Sequence, residues 1–379
     1  MASVRKRVTE RGASVWDVRY RDNRGRPRCR TFKRAEDARI YAKTVEADVV
    51  RGEFLDPAKG RRKFDEFAER WLASCAGLKP KTIVGYRSML RCHVLPAFSG
   101  LAVAKIEYSD VDEFLGELRA AGAAPGTVRS ARKVLRLVLG TAVRSGAIKA
   151  NPCDGVRIAR SEPEEMHFLT MDELLRLADA MKRPEYGLMV RFAGLTGLRA
   201  GEVGALRIGR LDLLRRRAEV LENVSEVTGY GLVYGPPKTY ERRSVPIPPS
   251  LVEELAAHLT GRGDQRDAFV FTSPTGGPLR QRNFMGRHFK PAVERAGLPP
   301  DLRFHDLRHT CAAPLINADP PAHPLAVMKR LGHSSITVTY NTYGHLFPVL
   351  DEALTASLDR AYRHAATRAE PSASGHQSW

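Results

Sequence analysis

The residues able to do chemistry lie in the second half of the 379-residue chain, in four short stretches. GLTGLRAGEVGALR (194–207) carries Arg199 with Glu202 three residues on, and PPKTYERRSV (236–245) carries Lys238. RFHDLRHT (303–310) carries His305, Arg308 and His309, while LGHSSITVTYNTYGHL (331–346) carries His333 and two tyrosines, Tyr340 and Tyr343. Taken singly, each is ordinarily a solvated side chain. Together they are the parts of an anion-handling site. Planar guanidinium groups suit bidentate, charge-assisted hydrogen bonds to anionic oxygens, and imidazoles can hold or donate a proton near neutral pH. A tyrosine hydroxyl ionises only near pH ~10, so as a nucleophile it needs cations beside it. On a helix His305, Arg308 and His309 share one face. Tyr340 and Tyr343 point within about 60° of each other on a helix, so spacing alone leaves both open, as nucleophile or as packing residue.

The charge balance narrows the partner. Lys and Arg number 61 against 43 Asp and Glu, a formal +18, which predicts attraction to a polyanion, nucleic acid foremost. A hydrophobic content of 43% is that of a globular chain, long enough for two or three domains without disulfides. The five cysteines (Cys29, Cys75, Cys92, Cys153, Cys311) are scattered without disulfide-framework or zinc spacing, which fits a reducing compartment. MASVRKRV is basic but leads into no apolar core, so no signal peptide is expected, and no apolar run approaches the ~18 residues of a membrane span. The expected location is cytoplasmic, on the nucleoid or otherwise associated with DNA.

The elements that must position these groups are legible in outline. SVRKRVT (3–9), SVWDVRYRD (14–22) and RCRTF (28–32) read as three short strands, with Trp16, Val18 and Tyr20 alternating against Asp17 and Arg19. A helix is expected over 34–50 with Ala38, Tyr41, Ala42, Val45 and Val49 as its apolar stripe. The strands are studded with Arg5, Lys6, Arg7, Arg19 and Arg28, as a β-ribbon in a major groove would be. After the basic linker DPAKGRRK (56–63), the pattern over 64–155 is helical: FDEFAERWLA, then TIVGYRSMLRCHVLPAF ending at Pro96. SDVDEFLGELRAAG follows with a Ser-x-x-Asp cap at Ser109 and Asp112, and then a long amphipathic helix bears Arg129, Arg132, Lys133, Arg136 and Arg144. RIARSEPEEMHF (157–168) reads as a hinge. A mainly helical region with a strand-rich insert follows, with 219–227 and 231–234 as strands, and the tail RAEPSASGHQSW reads as frayed.

The ordered set TGLR-x-GE (Thr196–Glu202), PPKT (Pro236–Thr239), H-x-L-R-H (His305–His309), LGH (Leu331–His333) and T-Y-G-H (Thr342–His345) resembles the signature of the tyrosine recombinases, or phage-type integrases. The similarity spans essentially the whole chain. It implies a multidomain α+β fold: a small three-stranded N-terminal DNA-binding sheet with a helix (1–55, arm-type), an all-α core-binding bundle (64–156), a mainly α catalytic domain with a β-hairpin insert (166–360) and a flexible tail (361–379). It implies strand cleavage and rejoining through a 3′-phosphotyrosyl ester, integrating or excising a mobile element, with neither metal nor cofactor. Arg199 and Arg308 would clamp the phosphodiester, with His305 and His333 beside them. Lys238 would protonate the 5′-hydroxyl leaving group, with Glu202 and His309 in supporting places. The T-Y-G-H pattern selects Tyr343 as nucleophile and leaves Tyr340 a packing position. Implied partners are double-stranded DNA with core-type and arm-type attachment sites, three further copies of the chain in a tetramer, a DNA-bending host factor and a directionality factor, with no membrane; residues 350–358 could dock on a neighbouring subunit. The competing readings are a DNA-binding regulator that kept the fold without turnover, or a relaxing or resolving enzyme using the same chemistry. One departure stands out. Pro314 falls where the helix after Arg308 should run, and it should kink that helix at a cost of about 3 kcal/mol. Cys311 nearby reads as a small buried hydrophobe.

Overall fold

The structure is a computed structural model that describes the chain except residues 1, 11, 23–24, 53, 159–165, 238–241, 263, 319–320, 348–354, 356–357 and 365–379. Lys238, the centre of the expected hinge, the tail beyond 364 and most of 350–358 therefore lie outside the described residues, while 361–364 of the expected flexible tail are helical. The fold is multidomain α+β, and the chain divides into two compact units, Met1–Pro163 and Glu164–Trp379.

In the first unit, β1 (Ser3–Val8), β2 (Ser14–Arg21) and β3 (Pro27–Phe32) form an antiparallel sheet in that order. The Ala35–Val50 helix packs on it, burying Ala38, Ala42 and Val45 against Val18 and Tyr20. Side chains alternate across a pleated sheet, so the register sorts the basic residues. Arg5 lies opposite Asp17, Arg7 opposite Val15 and Arg19 opposite Ser3, all on the face away from the helix. Lys6 and Arg28 fall on the helix face, opposite Trp16 and Tyr20. There the Lys6 ammonium sits 5.9 Å from the Trp16 ring centre, and Arg28 is ion-paired to Asp22 at 3.2 Å and Asp56 at 2.7 Å. On the open face Asp17 accepts hydrogen bonds from Thr31 at 2.6 Å and Arg7 at 3.0 Å.

A second apolar cluster, from Phe64 to Val156, is built around the Phe64–Ser74, Tyr108–Ala120 and Pro125–Arg144 helices. Two boundaries differ from expectation. Pro96 does not end a helix: a π-turn at Leu90–Val94 breaks the α-helical ladder first, and Pro96 sits in the first turn of the short Leu95–Phe98 helix, where its missing N–H costs nothing. The next helix caps earlier than the Ser-x-x-Asp reading, with the Glu107 N–H donating to Asp110 at 2.8 Å. On the long helix Arg129 and Lys133 are exposed, whereas Arg132 turns inward: its Nη2 donates to the Cys153 carbonyl at 3.0 Å and its Nε is buried.

The second unit is assembled around the Pro184–Thr196 helix, which is largely apolar and buried with Tyr186, Leu188, Met189, Val190 and Phe192 in the core, and whose Arg191 is ion-paired to Glu254. Against this core lie a three-stranded sheet, β4 (Leu211–Asp212), β5 (Arg217–Val220) and β8 (Arg243–Pro246), and a hairpin of β6 (Asn223–Val227) with β7 (Gly231–Gly235). Residues 219–227 are thus two strands in different sheets. The chain leaves β5 at Leu221 and Glu222 to start the hairpin. The Asp306–Ile316 helix runs through Pro314, which lies inside it as expected. Pro324 opens the Pro324–Leu331 helix, a position that suits a residue without an N–H.

Candidate active site

Two glycines in the left-handed conformation organise the site. Gly197 (φ 71°) ends the Pro184–Thr196 helix, and Gly332 (φ 65°) ends Pro324–Leu331. Each carbonyl receives an arginine from a distant stretch: Arg308 Nη1 donates to Gly197 O at 2.7 Å, and Arg199 Nη2 donates to Gly332 O at 2.8 Å. A Cβ on Gly197 would stand 2.7 Å from Leu331 Cδ2, and one on Gly332 would stand 3.0 Å from the Arg243 guanidinium. Only glycine provides both the turn and the room.

Glu202 is the anionic centre of the arginine cluster, with a fully buried side chain. It accepts from the Arg199 backbone N–H at 2.9 Å and from Arg199 Nη1 at 2.9 Å, and its two oxygens accept from Arg243 Nη1 at 3.0 Å and Nη2 at 2.7 Å. Burial alone would push its pKa up, but the Arg243 hydrogen bonds and the Arg199 charge hold it below the ordinary carboxylate range. Arg243 is a site residue that reading the sequence missed. Its signal was there: in RSVPI the period of two places Arg243 inward with Val245 and Ile247.

Arg308 is 2% exposed, and its Nη2 has no hydrogen-bond partner. Burial first, then the neighbouring Arg199, lowers its pKa to about 9, so it stays charged at neutral pH. A buried guanidinium with an unsatisfied N–H group is costly to keep.

His309 and His333 flank Tyr343, and His305 packs against His309. The His305 and His309 rings lie edge to face at 5.3 Å, and the His333 ring stacks on Tyr343 at 6.1 Å with 15° between the planes. His333 Nδ1 is 2.9 Å from the hydroxyl of Thr339, a buried residue one helical turn before Tyr343. Burial, reinforced by arginines, lowers the pKa of His305, and that of His333 to about 3. Burial, then His305, lowers His309 to about 4. All three imidazoles are therefore neutral at pH 7 in the DNA-free protein.

Tyr343 closes the Ile336–Tyr343 helix and is fully buried among Phe168, Ala312, Ile316, Val327 and Leu331. Its hydroxyl lies 2.9 Å from His309 Nδ1. Burial raises its pKa to about 12 and outweighs the opposing charge of Arg308, so in this state cations do not make the phenol acidic. Tyr340 is half exposed, its ring 5.8 Å from Phe347. Cys311 is buried, its thiol 3.5 Å from the Leu195 carbonyl.

The structure thus brings together Arg199, Glu202, His305, Arg308, His309, His333 and Tyr343 in the second unit, while Lys238 lies outside the described residues. Arg5, Lys6, Arg7, Arg19, Arg28, Arg129, Arg132 and Lys133 belong to the first unit. Among the described residues no group of three or more His, Cys, Asp or Glu could hold a metal ion, and no helix is long and apolar enough to cross a membrane.

Comparison with known proteins identifies the family and the fold. The phage integrase family matches residues 167–348, and the phage integrase central domain matches 64–159. A putative prophage phiRv2 integrase of Mycobacterium tuberculosis is 29% identical over 367 residues, covering 93% of this chain and 95% of the relative. A XerC-like tyrosine recombinase of Caldanaerobacter subterraneus is 26% identical over 347 residues, 82% of this chain and 88% of the relative. Among solved structures, the Tn1549 transposon integrase in complex with a circular intermediate DNA superposes with a TM-score of 0.69 at 21% identity, covering 79% of this chain and 99% of that one. A lambda integrase tetramer bound to a Holliday junction gives 0.56 at 18% identity, covering 90% and 94%. At these identities the structural likeness speaks for the fold, while the family matches speak for the chemistry. The chain belongs to the phage integrase family, the tyrosine recombinases, and is an enzyme of site-specific DNA recombination, a DNA strand transferase.

Proposed function

We propose that the chain integrates or excises a mobile element by cleaving and rejoining DNA through a 3′-phosphotyrosyl bond at Tyr343. The observation that carries this is the buried, unpartnered Nη2 of Arg308 in the cluster with Arg199 and Tyr343: a cation held ready for an anion. The scissile phosphate is that anion. Arg308 and Arg199 bind its non-bridging oxygens as their charge grows, His305 and His333 donate to the same oxygens, and Glu202 holds Arg199 in place. Tyr343 attacks phosphorus, the P–O5′ bond breaks, and Lys238 gives its proton to O5′. The phosphotyrosyl ester conserves the bond energy for a second strand's 5′-hydroxyl, which water would not.

Residues 1–55 serve as the arm-type module, 64–156 as the core-binding domain and 166–360 as the catalytic domain, with 361–379 as a tail. Open-face Arg5, Arg7 and Arg19 are the leading arm-site contacts, and Arg129 and Lys133 contact the core-site backbone. The solved lambda integrase tetramer on a Holliday junction supports assembly of four copies on two DNA sites; a bending host factor and a directionality factor complete the set of partners. A separate arm module favours this role over a simple relaxing enzyme, and the assembled arginines and tyrosine favour it over a regulator without turnover.

The test is covalent trapping. The protein is incubated with a nicked core-site duplex, selected by binding from a randomised library, whose released fragment diffuses away. A denaturing gel should show a protein–DNA adduct that Tyr343→Phe abolishes and Tyr340→Phe retains. A duplex bound tightly without any adduct would remove the catalytic reading and leave the regulator.

A further inference from the structure

We infer that His309 is the general base of the cleavage step, taking the proton of Tyr343 as the tyrosine attacks. The inference rests on the reading of Tyr343 as nucleophile and adds to it the group that activates it.

The geometry comes first. His309 Nδ1 lies 2.9 Å from the Tyr343 hydroxyl, the distance of a proton-transfer pair. His333 faces the same ring by stacking and directs its own Nδ1 to Thr339 at 2.9 Å, so its contact with the tyrosine is through ring faces. His309 is held from several sides. It is anchored on the Asp306–Ile316 helix, its ring meets His305 at 5.3 Å and Phe168 at 6.0 Å, and it is buried. It therefore has little freedom to leave the hydroxyl.

The protonation states suit the role. A phenol that burial keeps protonated needs a partner to take its proton in the transition state, because free phenolate is not populated at neutral pH. An imidazole that burial keeps neutral has a lone pair to accept it. The charged and titratable groups acting on His309 are His305, Asp306 and Arg308 of its own helix and Arg303 before it, with Tyr343 facing it and His333 close enough to couple with it. Burial first, and then the cations among them, hold it neutral in the free protein. A phosphodiester seated on Arg199 and Arg308 offsets their charge and makes His309 a stronger base as substrate arrives. The step balances: Tyr343 Oη bonds to phosphorus, its proton passes to His309 Nδ1, and the P–O5′ bond breaks with O5′ protonated from the leaving-group side. On rejoining, the imidazolium returns the proton to Tyr343 as the phosphotyrosyl bond breaks.

The test separates nucleophile activation from leaving-group protonation. Single-turnover adduct formation by the full chain is measured on the selected core duplex and on the same duplex with sulfur replacing the bridging O5′, whose departure needs no acid. His309→Asn places an oxygen that still accepts the tyrosine's hydrogen bond but does not take its proton. The expected result is a loss of about 10²-fold or more on both duplexes with DNA affinity unchanged. Replacing Tyr343 by the more acidic 3,5-difluorotyrosine in the Asn variant should recover at least about tenfold of that loss, a gain that a merely structural role for His309 does not give. Rates within about threefold of wild type, a defect cured by sulfur, or no gain from the fluorinated tyrosine would each overturn the proposal. If the Asn variant loses DNA affinity, His309→Gln carries the same series. The wild-type adduct and its loss in Tyr343→Phe are read independently, so failure of the base assignment is distinguishable from failure of the tyrosine reading.

Discussion

Glu202 is where the site is most open to a single decisive perturbation. Its carboxylate is buried and answers two guanidiniums, Arg199 and Arg243, with Arg308 close enough to feel its charge. Glu202→Gln keeps the shape and one acceptor oxygen but turns an amide toward Arg243 and leaves three buried or half-buried cations without their counter-ion. Breaking a buried pair from one side costs about 3–5 kcal/mol. For a unit the size of Glu164–Trp379, each kcal/mol lowers Tm by roughly 2–4 °C, so a fall of about 6–20 °C is expected. Circular dichroism melts of DNA-free protein at pH 7.5 measure it. The companion variant Arg243→Met and the double variant complete a cycle: once Arg243 is gone, part of the need for Glu202 goes too. The two losses should therefore fall short of adding by at least about 1 kcal/mol. A melt lowered by less than about 3 °C, or strict additivity, would mean that solvent already screens this cluster and that Glu202 is not its organising charge.

Two other perturbations test the positioning of the site and of the arm face. Gly197→Ala forces a side chain into a left-handed turn at about 1–2 kcal/mol and drives a Cβ to 2.7 Å from Leu331 Cδ2. Urea unfolding should show a loss of roughly 2–4 kcal/mol, with adduct formation falling at least about tenfold because the carbonyl that holds Arg308 moves; unchanged cleavage would separate Gly197 from the site. In the arm module, Arg5→Ala and Arg19→Ala should each lower the slope of log affinity against log salt by about 1 in fluorescence anisotropy on an arm-site duplex. Arg28→Ala, already paired to Asp22 and Asp56, should leave that slope nearly unchanged; equal effects at all three would refute the division of the sheet into two faces.

Much of this is legible in the sequence, and for identifiable reasons. The alternation of Trp16, Val18 and Tyr20 fixed the N-terminal sheet because a two-residue period has few other meanings. The spacing of His305, Arg308 and His309 placed them on one helix face, and their neighbourhood follows directly. What escaped depended on tertiary context. A π-turn before Pro96 has no local signature, since proline is equally at home after a helix and in the first turn of one. The split of 219–227 into two strands depends on which distant partner each half finds, β8 for one and β7 for the other. Arg243 stands beside Arg242, and only the two-residue period it shares with buried Val245 and Ile247 marks it as the inward one of the pair. The balance at Tyr343 could not be read at all: cations nearby suggested an acidified phenol, yet burial wins and leaves the hydroxyl protonated against His309.

The two glycine turns explain why the separate motifs behave as one site. Neither arginine is held by its own stretch alone: Arg308 is aimed by the carbonyl two residues before Arg199, and Arg199 is aimed by the carbonyl just before His333. Arg243 then closes the loop, packing its guanidinium against Gly332 while binding Glu202 beside Arg199. Displacing any one turn must shift a cation that belongs to another, so four stretches far apart in sequence have a single geometry to satisfy. Side chains on flexible stems could drift independently; guanidiniums pinned to backbone carbonyls at helix ends cannot. That is the form of preorganisation a phosphoryl-transfer site needs, where the charge on the oxygens grows faster than loose donors could gather to meet it.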